Sequence, residues 1–339
     1  MKLLRFLVKT FILGITLAAL LCAAGAAYSA YRYEKQSALD EAVIIQIPHG
    51  SNIRVISEIL TQQGILREDR FDGVIFQLNG RLTGQANMLK AGEYEIPPHA
   101  SMLEIMDLLE SGKVVQRQVT IREGLTSFEI KTLLLAQNDL DHATEFAMKG
   151  EGRYLPETYS YQKGEDASAV LGRMEQAMDR VLDAAWAKRA ADLPFKTKEE
   201  ALVLASIIEK ETAVASERKR VAGVFINRLR RGMLLQTDPS VIYALMLGEN
   251  KNDGQGPLGR RLLKKDLAYD SPYNTYLYAG LPPGPIANPG QASIEAALNP
   301  ETHDYLYFVA DGSGGHAFAK SLNEHNNNVA QWRKIRKAQ

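Results

Sequence analysis

Residues 205–229 read ASIIEKETAVASERKRVAGVFINRL and set two glutamates, Glu209 and Glu211, on either side of a lysine. An α-helix advances about 100° per residue, so positions two apart point about 160° away from each other. The spacing predicts that the two carboxylates serve different faces of one helix. Val203, Leu204, Ile207, Ile208, Val214 and Ala215 fall on one arc, with Glu211 near its middle, while Ser206, Glu209, Ala213 and Ser216 fall on the other. A carboxyl on a core-facing stripe loses hydration, which favours its neutral form and raises its pKa. A glutamate protonated near neutral pH is what a general acid requires. The same placement also suits a buried Glu211 that pairs with Arg218 and serves only packing. Glu209 reads as a solvated or helix-end charge.

Working outward, this helix begins near Lys198, after the break DLPFKTKEE, and a longer helix runs from about Ala167 to Ala191 before it. Two irregular segments follow: the polar GENKNDGQGPLGRR (248–261) and the Pro/Gly-rich DSPYNTYLYAGLPPGPIANPGQ (270–291). Loops of that length in a compact domain are often functional. DYLYFVADGSGGHAFAKS (304–321) reads as a hairpin around a glycine-rich turn, and a last helix covers about Leu322 to Lys337. Upstream, a weak repeat of strand, turn and amphipathic helix occurs in VIIQIPHGSNIRVISEILTQQGIL (43–66) and GEYEIPPHASMLEIMDLLESGKV (92–114), with a looser third copy in QVTIREGLTSFEIKTLLLAQ (118–137). Ser51, Ser101 and Thr126 or Ser127 are candidate N-caps. Ile53, Ile56 and Leu60 share a helix face, as do Leu103, Met106 and Leu109. The fold class expected is α+β, with a small domain over 42–115 and a larger mixed domain over 116–339.

At the N-terminus, Lys2, Arg5 and Lys9 precede FILGITLAALLCAAGAAYSAY (11–31). About 20 apolar residues in a helix cross the hydrocarbon core, and flanking positive charge stays cytoplasmic. The expected layout is a cytoplasmic N-terminus (1–10), a transmembrane anchor (11–31) and a charged stalk (32–41), with everything beyond outside the cytoplasm. The small residues of AAGAAYSA also suit a cleaved signal peptide. The lone cysteine, Cys22, can form no internal disulfide, and Leu21 before it departs from a lipoprotein pattern.

Forty basic and forty acidic side chains give zero formal charge, which argues against broad nucleic-acid binding. The six histidines show no zinc-type spacing. There is no nucleophile elbow, P-loop or dinucleotide fingerprint. An acid–base carboxylate near long loops remains, and it suggests sugar chemistry.

Three stretches carry a resemblance: ASIIEKETAVASERKRVAGVFINRLRRGMLLQTDPSVIYAL (205–245), YNTYLYAGLPPGPIANPG (273–290) and YLYFVADGSGGHAF (305–318). Together they resemble the YceG-like (MltG) family of endolytic murein transglycosylases. The resemblance implies cleavage of the MurNAc–GlcNAc bond of nascent peptidoglycan strands without water, leaving 1,6-anhydro-MurNAc ends and terminating elongation. It implies that Glu211, the second glutamate of the EKET motif, is catalytic, and that the small domain is LysM-like. It implies that Gln236, Thr237 and Asp238 of LQTDPS and Tyr273, Asn274, Thr275 and Tyr276 of YNTY line a sugar groove, with Glu209 and Glu157 in support. It implies a single-pass inner-membrane protein with its catalytic domain in the periplasm, partnered by peptidoglycan synthases and penicillin-binding proteins. No metal or organic cofactor is implied. A hydrolytic muramidase and a non-catalytic peptidoglycan-binding scaffold are the alternatives.

Overall fold

The computed structural model describes residues 2–68, 71–142, 147–246 and 258–338. Its backbone divides into two units, Met1–Arg117 and Gln118–Gln339.

The first unit opens with helix α1 (Lys2–Glu34), whose most apolar 18 residues have a mean hydropathy of 2.2 and lie outside any core. That is long and apolar enough to cross a bilayer. Where a free stalk is expected from residue 32, the helix instead runs on to Glu34 and docks. Tyr33 is buried, and the buried Arg32 guanidinium donates to both carboxylate oxygens of Asp72 at 2.6 Å.

Strands β1 (Val43–Ile47) and β2 (Gly92–Ile96) pair antiparallel, Val43 opposite Ile96 and Ile47 opposite Gly92. Their alternation sends Ile45, Ile47, Tyr94 and Ile96 inward. Helices α2 (Ile53–Gln62) and α4 (Met102–Ser111) follow the two strands as the repeat predicts. They bury Ile53, Ile56 and Leu60, and Ile105, Met106 and Leu109. Leu103, expected on the buried face, is 36% exposed.

The caps follow the side chains that can reach. Ser101 closes a capping box with Glu104. At α2 the cap is Asn52 rather than Ser51, its amide oxygen accepting from the Arg54 and Val55 N–H groups. Between the repeats lies α3 (Phe71–Leu82), which the periodicity does not reveal. It packs so closely on α2 that a Cβ on Gly80 would come within 2.4 Å of Ile53 Cδ1.

β3 (Arg117–Thr120) leads into the second unit, where it pairs with β4 (Thr158–Tyr161) and is followed by α5 (Ser127–Leu135), capped by Thr126. Helix α6 (Ala167–Ala187) is followed by α7 (Lys198–Glu211), α8 (Arg218–Arg230) and α9 (Asp238–Met246). Helix α10 (Gln291–Leu298), the antiparallel hairpin β5 (Tyr307–Ala310) and β6 (His316–Ala319), and α11 (Leu322–Ala338) complete the unit. The polar loop expected over 248–261 lies outside the described residues as far as 257.

Helix α7 is the axis of this unit, packed against α8, α9 and α10. Every residue from Ala201 to Ile208 is buried, so the helix is enclosed all round rather than along one stripe. It also stops earlier than the stripe predicts. Thr212 turns extended, with φ −138° and ψ 127°, and Val214 and Ala215 lie outside the helix. The break leaves Glu211 as the last helical residue.

Candidate active site

Glu211 reaches the wall of a cleft of about 490 Å³, within the range of ligand-binding clefts. Its side chain is partly buried. Burial pushes its pKa up to about 7, and the nearby Asp238 carboxylate adds to the rise. The Thr237 hydroxyl and the Arg228 guanidinium pull the other way without cancelling it. The helix C-terminus, with its partial negative charge, also disfavours ionisation there. Arg218, the partner expected if Glu211 served only packing, instead lies 3.8 Å from both Glu123 and Glu209.

The segment after α8 supplies the next groups. Gln236 has a left-handed φ of 52°, uncommon for a residue with a Cβ. The conformation is held from beneath: the Gln236 N–H donates to the Thr275 carbonyl (3.1 Å) and the Thr237 N–H to the Thr275 hydroxyl (3.0 Å). Gln236 and Asp238 thereby line the cleft beside Glu211, as does Tyr276, whose hydroxyl donates to Asp238 Oδ1 at 2.6 Å. Burial and this bond raise the phenol's pKa, so it stays a donor. The Thr237 hydroxyl is buried next to Glu211 and has no hydrogen bond of good geometry.

The other members of the expected groove are spent on architecture. Asn274 is buried and its amide donates to the Leu267 and Tyr269 carbonyls. The Thr275 hydroxyl bridges Thr237 N–H and the Ser240 hydroxyl. Tyr273 packs on Tyr243, ring centroids 4.9 Å apart. These three fold the turn that carries Tyr276, and they do not line the cleft.

Glu209 is neither solvated nor in the cleft. Its side chain is 5% exposed, and its carboxylate accepts the Gly290 N–H at 2.9 Å, at the N-terminus of α10. It fastens α10 to α7 where the helix dipole favours negative charge. Glu157 is exposed beside β4, accepts from the Thr158 N–H, and is not among the cleft residues.

Arg228 and His325 are cleft residues that sequence reasoning missed. Arg228 is 8% exposed and donates to the carbonyls of Leu306 (2.7 Å), Leu235 (2.8 Å) and Leu234 (3.2 Å). It ties α8 to the hairpin while turning a fixed positive charge toward Glu211. His325, on α11, stacks on Tyr307 at 5.2 Å, and burial beside Arg228 lowers its pKa. The faint signals were an arginine on the apolar side of α8 and a histidine in an asparagine-rich helix. Among the described residues no cluster of His, Cys, Asp or Glu could hold a metal ion.

Fold and cleft together define a mixed α/β protein whose cleft holds an acid poised near neutral pH, flanked by an arginine, hydrogen-bonding groups and aromatic walls. The model of the YceG-like family matches residues 45–331, and the chain belongs to that family. An endolytic murein transglycosylase of Bacillus subtilis is 32% identical over 317 residues, 84% of this chain and 83% of that protein. One of Streptococcus pneumoniae is 30% identical over 96% of this chain, which spans 65% of that longer protein. The crystal structure of a yceG-like protein from Listeria monocytogenes aligns with a TM-score of 0.50 at 33% identity, over 85% of this chain and 99% of that one.

Proposed function

We propose that the protein is an endolytic lytic transglycosylase of peptidoglycan, with Glu211 as its acid and then its base. The observation that carries this reading is one partly buried carboxyl with a pKa near 7 on the wall of an open cleft. The names of its relatives support the substrate. Protonated Glu211 gives its proton to the glycosidic oxygen as the C1–O bond of MurNAc breaks. The oxocarbenium-like centre at C1 is stabilised by the sugar's own N-acetyl oxygen, so no enzyme nucleophile is needed. The Glu211 carboxylate then takes the proton of the C6 hydroxyl as its oxygen bonds to C1. The anhydro ring closes, no water is consumed, and Glu211 regains its proton.

Asp238 keeps the proton on Glu211 in the resting state, and Arg228 favours the carboxylate formed midway. Gln236, Asp238 and Tyr276 hold the sugars, and the buried Thr237 hydroxyl is left to act on Glu211. The first unit is read as LysM-like, holding glycan near the membrane. α1 is the inner-membrane anchor, the remainder is periplasmic, and peptidoglycan synthases and penicillin-binding proteins are the expected partners.

The test is digestion of purified glycan strands followed by mass spectrometry. Products one water lighter than reducing-end fragments are expected, and Glu211→Gln should slow their release at least about 100-fold. Reducing ends alone would make the enzyme a muramidase. Undiminished cleavage by the variant would remove Glu211 from the chemistry, and no cleavage by the parent protein would favour a binding scaffold.

A further inference from the structure

Helix α3 carries four large apolar side chains in the open: Phe71 (68% exposed), Val74 (60%), Leu78 (47%) and Leu82 (75%). At about 100° per residue they fall within an arc of about 80°, so they form one stripe along the whole helix. Single exposed leucines are ordinary, but a continuous apolar stripe marks a surface that meets something. The rest of α3 is already used: Asp72, Phe76 and Gly80 on the far side and Ile75 at the edge of the stripe are buried in the first unit.

The position of α3 along α1 identifies what the stripe meets. No charged residue lies between Lys9 and Arg32, so the helix leaves the hydrocarbon near Arg32. Asn79 donates to the Ser29 hydroxyl at 3.2 Å, and Asp72 pairs with Arg32. Both contacts lie within one helical turn of that exit. Tyr28 and Tyr31, 53% and 59% exposed, sit at the same level, as aromatic residues do at membrane interfaces.

We propose that α3 is a membrane-surface helix whose Phe71, Val74, Leu78 and Leu82 stripe lies in the headgroup–acyl boundary of the outer face of the bilayer that α1 crosses. The proposal rests on the reading of α1 as the anchor. Helices with one apolar face lie in that boundary, and this one is held there by its contacts with the spanning helix. The contacts also give it a slope. Asp72 meets α1 at Arg32, whereas Asn79 meets it at Ser29, closer to the hydrocarbon, so Leu78 and Leu82 sit deeper than Phe71.

The full chain with Cys22→Ala, reconstituted in lipid nanodiscs, tests this with single cysteines at 17, 58, 71, 78 and 82, each carrying an environment-sensitive fluorophore. Quenching by acyl-chain nitroxide lipids is compared with quenching by a water-soluble collider. Labels at 78 and 82 are expected to be quenched several-fold more by the lipid nitroxide than the label at 58, with 71 between them. Water-like quenching at 78 and 82, with the label at 17 still in lipid, overturns the proposal and leaves the anchor intact. A label at 17 open to the aqueous collider overturns the anchor itself, and the proposal with it. Equal depth at 71 and 82 overturns the slope.

Discussion

A glutamate held at a pKa of about 7, against an ordinary 4.5, makes the folded protein less stable as the pH rises. Below pH 4.5 the carboxyl is protonated in both states and there is no penalty. Between 4.5 and 7 the unfolded chain ionises while the folded one does not, and above 7 the penalty is complete, about 3 kcal/mol. Glu211→Gln should therefore stabilise the protein by about 1–3 kcal/mol at pH 8 and hardly at all at pH 4, as urea denaturation at the two pH values would measure. In the proposed mechanism the acid form starts the reaction, so kcat/KM should fall roughly tenfold per pH unit above about 7. Arg228→Met leaves three carbonyls without their donor and should cost about 2–4 kcal/mol. It also removes the charge that pulls Glu211 down, so the alkaline limb of the rate profile should move to higher pH. A role confined to packing would leave that limb in place. That Glu211 and Glu209 face different surroundings was legible in the sequence, because a helical wheel separates them. Arg228 and His325 were not, because they reach the cleft from elements almost 100 residues apart. Asn274 and Thr275 were misread for a related reason: sequence shows that a side chain can hydrogen-bond, but not that neighbouring backbone has already used it.

At the scale of elements, the strands of the repeat, the hairpin and the closing helix could be read from alternation and turn chemistry. The extent of α7 could not. Apolar residues continue past Glu211 at nearly helical spacing, yet Thr212 turns extended and a short 3-10 turn (Ala215–Glu217) precedes α8. The stop places the acid at a helix end, facing the cleft, rather than in mid-helix within the core. Helix α8 then depends on a close approach. A Cβ on Gly223 would lie 2.4 Å from the Glu301 carbonyl oxygen and 2.6 Å from His303 Nε2. Gly223→Ala should push the segment before the hairpin outward and cost roughly 1–3 kcal/mol, visible as a lower denaturation midpoint. Since that segment leads to the Leu306 carbonyl that holds Arg228, activity should fall with it.

At the scale of the whole molecule, each unit has its own core, and the buried members of the first unit's apolar cluster run from Tyr33 to Leu109. The sequence passes from strand–helix repeats to long helices in the second unit, after a third repeat copy at 118–137. The manner of anchoring was not legible, since RYEKQSALDEA has the composition of a solvated stalk while Arg32 and Tyr33 are in fact buried. The intact protein should sediment with membranes, resist high-salt and alkaline washes, and be released by detergent. Release by salt alone would mean that α1 does not span. An unbroken helix clamped into the unit by an arginine–aspartate pair transmits torque, as a flexible tether does not. The first unit must turn when α1 turns and lean when α1 leans. Spanning helices meet changes in bilayer thickness by tilting, so a thinner or thicker membrane would re-aim this unit as well as change its height. Lipid composition would then act on the protein as a steering input.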